Sequence, residues 1–214
     1  MSSKRHSIVP PVSSGPKPPV HFSSSITIAD SAVLTGTHPI AIHSESVVHP
    51  RARLDSLAGR VTVGRRCVVH ERATLGAVGT SGRITESAVT LGDYVTVEVG
   101  AAIEAGETVI GEGTVVGVGA RVGAGAVVGK VSTRLRCQRL VVDWDSDGGM
   151  TQHCTLTPHT EIAAGEVVPD FTVVYSNGLR RTDKRGVAEL KNKGQARQID
   201  VLRRMIPSNP AKFA

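Results

Sequence analysis

The sequence predicts an all-β fold, a parallel β-helix of hexapeptide repeats, with a C-terminal α-helix laid on its outside. Three observations lead there. The first is a period. In VIGEGTVVGVGARVGAGAVVG, residues 109–129, the aliphatic residues Ile110, Val116, Val122 and Val128 recur at a constant step of six. Gly111, Gly117, Gly123 and Gly129 follow them, and Thr114, Ala120 and Ala126 supply a small residue near the end of each unit. Neither the 3.6-residue helical period nor strand alternation produces this step. It belongs to a strand-and-corner unit, three of which make a triangular coil of about 18 residues, with coils stacked at the ~4.8 Å strand spacing. The second observation is composition. Aromatic residues are only 3% of the 214, while 40% are hydrophobic. Val, Ile, Leu and Ala must therefore fill the interior, and they fit a narrow prism that a ring does not. The third is the 23 glycines, which suit a fold made largely of tight corners.

The elements follow in order. Residues 1–22, rich in Pro and Ser, are expected to form a disordered tail. Residues 23–178 are expected to be the β-helix. The pattern begins at Ile28 and Leu34, with Ala32 as the small residue, and runs through Ile42, Val48, Leu54, Val63, Val69 and Leu75. It returns at Leu91, Val97 and Ile103, shifts phase by one residue before Ile110, and resumes at Leu156, Ile162 and Val168. Two stretches interrupt it: a loop at 76–90 and an insertion at 130–153 that carries the only tryptophan, Trp144, in DWDSDGG. Residues 179–214 are expected to be a linker and a C-terminal helix. In QARQIDVLRRMIP, Ile199, Leu202 and Ile206 fall at i, i+3 and i+7 and make one apolar face for the outside of the prism; Pro207 ends the helix.

The formal net charge is +6, but Lys and Arg are spread along the chain with no Phe or Tyr interleaved as a base-stacking platform, so no nucleic acid partner is expected. No run approaches the ~18 apolar residues of a membrane span, and the N-terminus lacks an apolar signal core. Cys67, Cys137 and Cys154 form no C-x-x-C pair, which suits a reducing compartment. A soluble intracellular protein is expected. The glycines of 111–129 lack the Lys-Ser/Thr of a phosphate loop.

The period resembles that of hexapeptide-repeat proteins, whose known members coil left-handed, an exception to the usual crossover rule. A left-handed parallel β-helix is therefore expected. Its enzymes carry out acyl transfer or zinc-dependent carbonic anhydrase chemistry, and both need histidine. Val48-His49-Pro50-Arg51 and Val69-His70-Glu71-Arg72 lie 21 residues apart, one coil plus three inserted residues. His49 should sit directly under or over His70, pointing outward, with Arg51 beside Arg72. No third ligand is placed in sequence, so this column reads as a polar ladder rather than a metal edge or a base. His38 and His43 have the spacing of a zinc-ligand pair without its flanking glycines, and His153-Cys154 and His159 read as a loop terminus. No catalytic residue, metal site or cofactor is assigned. Glu98, Glu104 and Glu112 read as outward acidic residues elsewhere on the walls.

Beyond the repeat, VVHPRARL at 47–54, Val97-Glu98-Val99-Gly100, IAAGEVVPDFTVVY at 162–175, Leu179-Arg180-Arg181 and the Ile199-Asp200-Val201-Leu202 to Met205-Ile206-Pro207 helix resemble the dynactin subunit 6 family, a left-handed β-helix component of the dynactin pointed-end complex. The resemblance implies a non-catalytic scaffold in the cytoplasm and cytoskeleton, supporting dynein-driven microtubule-based transport and cargo attachment. It implies three partners: a companion β-helix subunit forming a heterodimer, the pointed-end actin-related protein, and a larger zinc-containing pointed-end subunit. On that reading His49, Arg51, His70, Arg72, Glu98, Glu104, Glu112 and Trp144 are candidate partner-facing residues. The alternative is a homotrimeric hexapeptide-repeat enzyme of the acyltransferase or zinc carbonic anhydrase type, with sites between neighbouring prisms.

Overall fold

A computed structural model describes residues 16–78, 87–129 and 153–213. Trp144, with most of the insertion 130–153, part of the loop 76–90 and most of the tail 1–22, lies outside the described residues.

The chain folds as a left-handed parallel β-helix. Its short strands form three walls, visited in turn by each coil. The first wall has seven strands, from Val20–Phe22 to Val167–Val168. The second runs from Thr27–Ile28 to Thr172–Val174 and gains an eighth, antiparallel strand at Arg180–Thr182. The third has six, from Val33–Gly36 to Glu161–Ile162.

The sixfold period becomes register. On the second wall Ile28, Val48, Val69, Val97, Val116, Leu156 and Val174 stand one above another and are buried. On the third, Leu34, Leu54, Leu75, Ile103, Val122 and Ile162 do the same. These columns interdigitate into one core with the corner residues Ala52, Ala73, Ala101 and Ala120. Each fully buried Val, Leu or Ile contributes roughly 1.5–3 kcal/mol. Stacking also explains the small residues at corners: a Cβ on Gly117 would lie 2.5 Å from the Leu156 carbonyl oxygen of the next coil.

Helix α1, Ala188–Met205, returns along the outside of the second wall. Ile199 is 2% exposed against Val47 and Val68, with Leu202 and Ile206 beside it, as the i, i+3, i+7 spacing requires. Gln195 Nε2 donates to the Arg66 carbonyl at 3.0 Å. The tail beyond α1 closes the open first coil: Ile28 N donates to Ser208 Oγ and Asn209 N to the Ile28 carbonyl, both at 3.0 Å. Phe213 packs against the core there with Val20 and Phe22. A strand edge that would template pairing with another chain is thereby satisfied.

Four expectations are corrected. Val20–Phe22 is a strand paired with Ile40–Ile42, although it fell within the tail expected to be disordered. Strands Thr74–Ala77 and Val89–Leu91 narrow the loop 76–90 from both sides. Arg180–Thr182 is an antiparallel strand rather than linker. Helix α1 begins about two turns ahead of the Gln195 start. Among the described residues no helix is long and apolar enough to cross a membrane.

Candidate functional site

Residues that immediately follow an inward aliphatic turn outward at a corner. Where the second wall meets the third, the corner segments are His49-Pro50-Arg51-Ala52, His70-Glu71-Arg72-Ala73, Glu98-Val99-Gly100-Ala101, Gly117-Val118-Gly119-Ala120 and Thr157-Pro158-His159-Thr160. The register therefore stacks His49, His70 and Glu98 in one column. The two imidazoles touch, with ring centroids 4.6 Å apart and planes tilted by 34°. This is the adjacency that the 21-residue separation implied. Glu98 was expected elsewhere on the walls; it belongs to the same column, one coil beyond His70.

The electrostatics of the column favour neutral rings. Burial, reinforced by the neighbouring His70, holds His49 below the ordinary histidine range. Burial does the same to His70, and Glu98 draws it part of the way back. His49 Nε2 is buried and has no hydrogen-bond partner among the described residues. Such an atom ordinarily costs ~1–3 kcal/mol, so its retention calls for a reason.

Arg51 and Arg72 occupy equivalent corner positions in the left-handed region, with φ of 59° and 57°. Arg51 pairs with Glu71 at 3.3 Å. Arg72, which is exposed, has no ion pair or side-chain hydrogen bond among the described residues.

The corner between the first and second walls carries a second titratable ladder. Here Glu45, Arg66 and Tyr94 are stacked; Arg66 Nε donates to Glu45 Oε2 and its Nη1 to the Tyr94 hydroxyl. The guanidinium lies 5.5 Å from the Tyr94 ring centroid. Alongside, Arg65 donates to Asp93 through Nε at 2.9 Å and pairs through Nη2 at 2.8 Å. These bonds raise Arg66 further above its usual range and lower Glu45. Every charge in this ladder has a partner.

Glu112 lies near this second ladder, its carboxyl raised by burial and by Asp93. Glu104 accepts from Ala124 N at 3.3 Å on the third wall. Neither joins the histidine column. His38 and His43 are parted by the strand Ile40–Ile42 and stand at different corners; His38 Nδ1 is bonded to the Ser56 carbonyl at 2.9 Å. His153 is buried with Nδ1 3.1 Å from the Gly113 carbonyl. Burial pushes the Cys67 thiol up to about 12, which makes it a poor nucleophile. Among the described residues no three His, Cys, Asp or Glu side chains are grouped to hold a metal ion.

No protein-family profile and no curated relative matches the sequence. Solved structures do. A hexapeptide transferase family protein from Anaplasma phagocytophilum is 16% identical, with 87% of this chain aligned to 91% of that one at a TM-score of 0.63. A candidate acetyltransferase from Bacillus cereus is also 16% identical, with 88% of this chain aligned to 92% of that one at a TM-score of 0.62. At this identity the likeness shows the fold alone. Both similar chains are described as transferases and neither as a dynactin component, so the expectation of a non-catalytic dynactin scaffold is not upheld and is withdrawn. With it fall the link to dynein-driven transport and the three implied partners: the companion β-helix subunit, the pointed-end actin-related protein and the larger zinc-containing subunit.

Proposed function

We propose that the chain is an acyltransferase of the hexapeptide-repeat type, acting as a homotrimer and moving an acyl group from a thioester donor to a hydroxyl or amine. The observation that carries this reading is the His49–His70–Glu98 column. An acceptor must lose a proton as it attacks, and a neutral imidazole takes it; both rings are held below the ordinary histidine range. His70 is the base. Glu98 faces the charge that then develops on the ring, and His49 positions the ring from below. The acceptor oxygen or nitrogen attacks the thioester carbonyl, and its proton passes to His70. The carbon–sulfur bond then breaks, and the imidazolium returns that proton to the departing thiolate. The two similar structures, described as a hexapeptide transferase family protein and a candidate acetyltransferase, support the same reaction class. A cytoplasmic location is part of the same proposal and rests on the sparse cysteines, which form no C-x-x-C pair.

The test is thiol release from acetyl-coenzyme A across a panel of hydroxyl and amine acceptors, with the oligomer's mass measured in parallel. Acceptor-dependent release that falls by about 10²–10⁴-fold in His70→Ala is expected, from a particle of three chains. Release no faster than the protein-free blank with every acceptor, or release unchanged in His70→Ala, contradicts the proposal.

A further inference from the structure

We propose that the acceptor bears a phosphate, held beside the histidine column by Arg72 and Arg53 with Arg51 at the margin. The inference rests on the acyl-transfer reading and adds a substrate class to it.

Arg51 and Arg72 each stand two residues beyond a histidine of the column, at the same corner of successive coils. Arg53 begins the adjoining strand Arg53–Ser56, is exposed, and like Arg72 has no ion pair or side-chain hydrogen bond among the described residues. Only Arg51 is engaged, by Glu71, on a side chain pair that is 61% and 40% exposed and therefore exchangeable.

The backbone supplies a second observation. Both arginines sit at positive φ, where an L side chain is crowded; in the following coils the same position is Gly100 (φ 68°), Gly119 (φ 64°) and His159 (φ 57°). The corner thus accepts glycine, yet it carries arginine in the two coils that carry His49 and His70. Arg66 also has positive φ, but Glu45 and Tyr94 bond it there. Nothing comparable holds Arg72.

Paired guanidinium forks suit phosphate oxygens better than a single carboxylate. The position assigns the phosphate to the acceptor. In an acyl-coenzyme A the thioester is separated from the nearest phosphate by the whole pantetheine arm. A phosphate held within two residues of His70 therefore belongs to the molecule whose nucleophile His70 deprotonates.

Titration calorimetry with inorganic pyrophosphate at low ionic strength reads the site without turnover. Wild-type chain is expected to bind, R53Q/R72Q to bind about tenfold or more weakly, and K193Q/R197Q/R204Q, altered on exposed positions of α1, to bind as wild type. Circular dichroism melts confirm that both variants fold. Absence of binding to wild type, or equal binding to R53Q/R72Q, overturns the proposal. Transfer to a phosphorylated acceptor is expected to fall equally in R53Q/R72Q with acetyl-coenzyme A and with acetyl-pantetheine, which lacks phosphate. A loss confined to acetyl-coenzyme A places the phosphate on the donor and overturns it. Pyrophosphate binding without transfer to any acceptor refutes the acyltransferase reading and upholds the anion site. Transfer to neutral acceptors without pyrophosphate binding does the reverse.

Discussion

Two corners of the same prism carry stacked, titratable ladders, and they differ in whether the stacked side chains satisfy one another; His153 Nε2 and Thr114 Oγ1, also without a partner among the described residues, lie at the first-to-second wall corner but outside its charged ladder. At the first-to-second wall corner, Arg66 is bonded to Glu45 and Tyr94, and Arg65 to Asp93. At the second-to-third wall corner, His49 keeps a buried nitrogen without a partner among the described residues, and Arg72 keeps an unpaired guanidinium. The backbone is the same repeat in both places, so the contrast lies in the side chains alone. A ladder whose members satisfy one another holds coils together. A ladder of two half-buried neutral rings, one of them keeping a buried Nε2 without a partner among the described residues, has capacity left for a ligand.

The comparison can be broken in several ways. The largest effect is expected from His70→Ala, which should lower kcat/KM for acyl transfer by about 10²–10⁴-fold while leaving the melting temperature near wild type. Next is Ile199→Ala. It empties the contact of α1 with Val47 and Val68 and should cost about 2–5 kcal/mol in chemical denaturation, because Ile199 is 2% exposed. Arg66→Ala is smaller. Its side chain is 41% exposed, so a loss of ~1 kcal/mol or less is expected, seen in the melting temperature and not in the transfer rate.

That pairing has a pH signature. Arg66 holds Glu45 below its ordinary value in the folded chain, so the stabilisation is present above the unfolded value and is lost as pH falls through the folded one. The acid-side fall in melting temperature should therefore be shallower in Arg66→Ala. The smallest effect concerns the histidine column. Transfer should fall toward acid with an apparent pKa below the ordinary histidine value of about 6.5, because His70 must be neutral to accept a proton. Glu98 draws His70 upward, so Glu98→Gln should move that limb to lower pH in a kcat/KM profile.

Much of this was legible in the sequence, for a physical reason. Inward positions obey a steric period, so the columns through Val48, Val69, Leu54 and Leu75, and with them the His49–His70 contact, could be counted out residue by residue. Glu98 could not. It lies 28 residues beyond His70, and the intervening loop hides how many of those residues belong to a coil. Val20–Phe22 was obscured by its proline-rich flank, and Arg180–Thr182 by its antiparallel direction, which has no hexapeptide period. The functional role was less legible still. Outward residues are free of the packing constraint, so the same hexapeptides serve different tasks. The segments that resembled a dynactin subunit, such as IAAGEVVPDFTVVY, are largely strand, corner and core, and carry no chemistry of their own.

The most direct test pairs one substitution at each corner, Arg66→Ala and His70→Ala, and reads both melting temperature and thiol release from acetyl-coenzyme A in each. A crossed result is expected: Arg66→Ala melts earlier and transfers normally, while His70→Ala melts normally and its transfer falls by about 10²–10⁴-fold. If His70→Ala instead melts earlier and keeps its transfer rate, the histidine column is a structural clasp like the other corner, and the reactive site lies elsewhere.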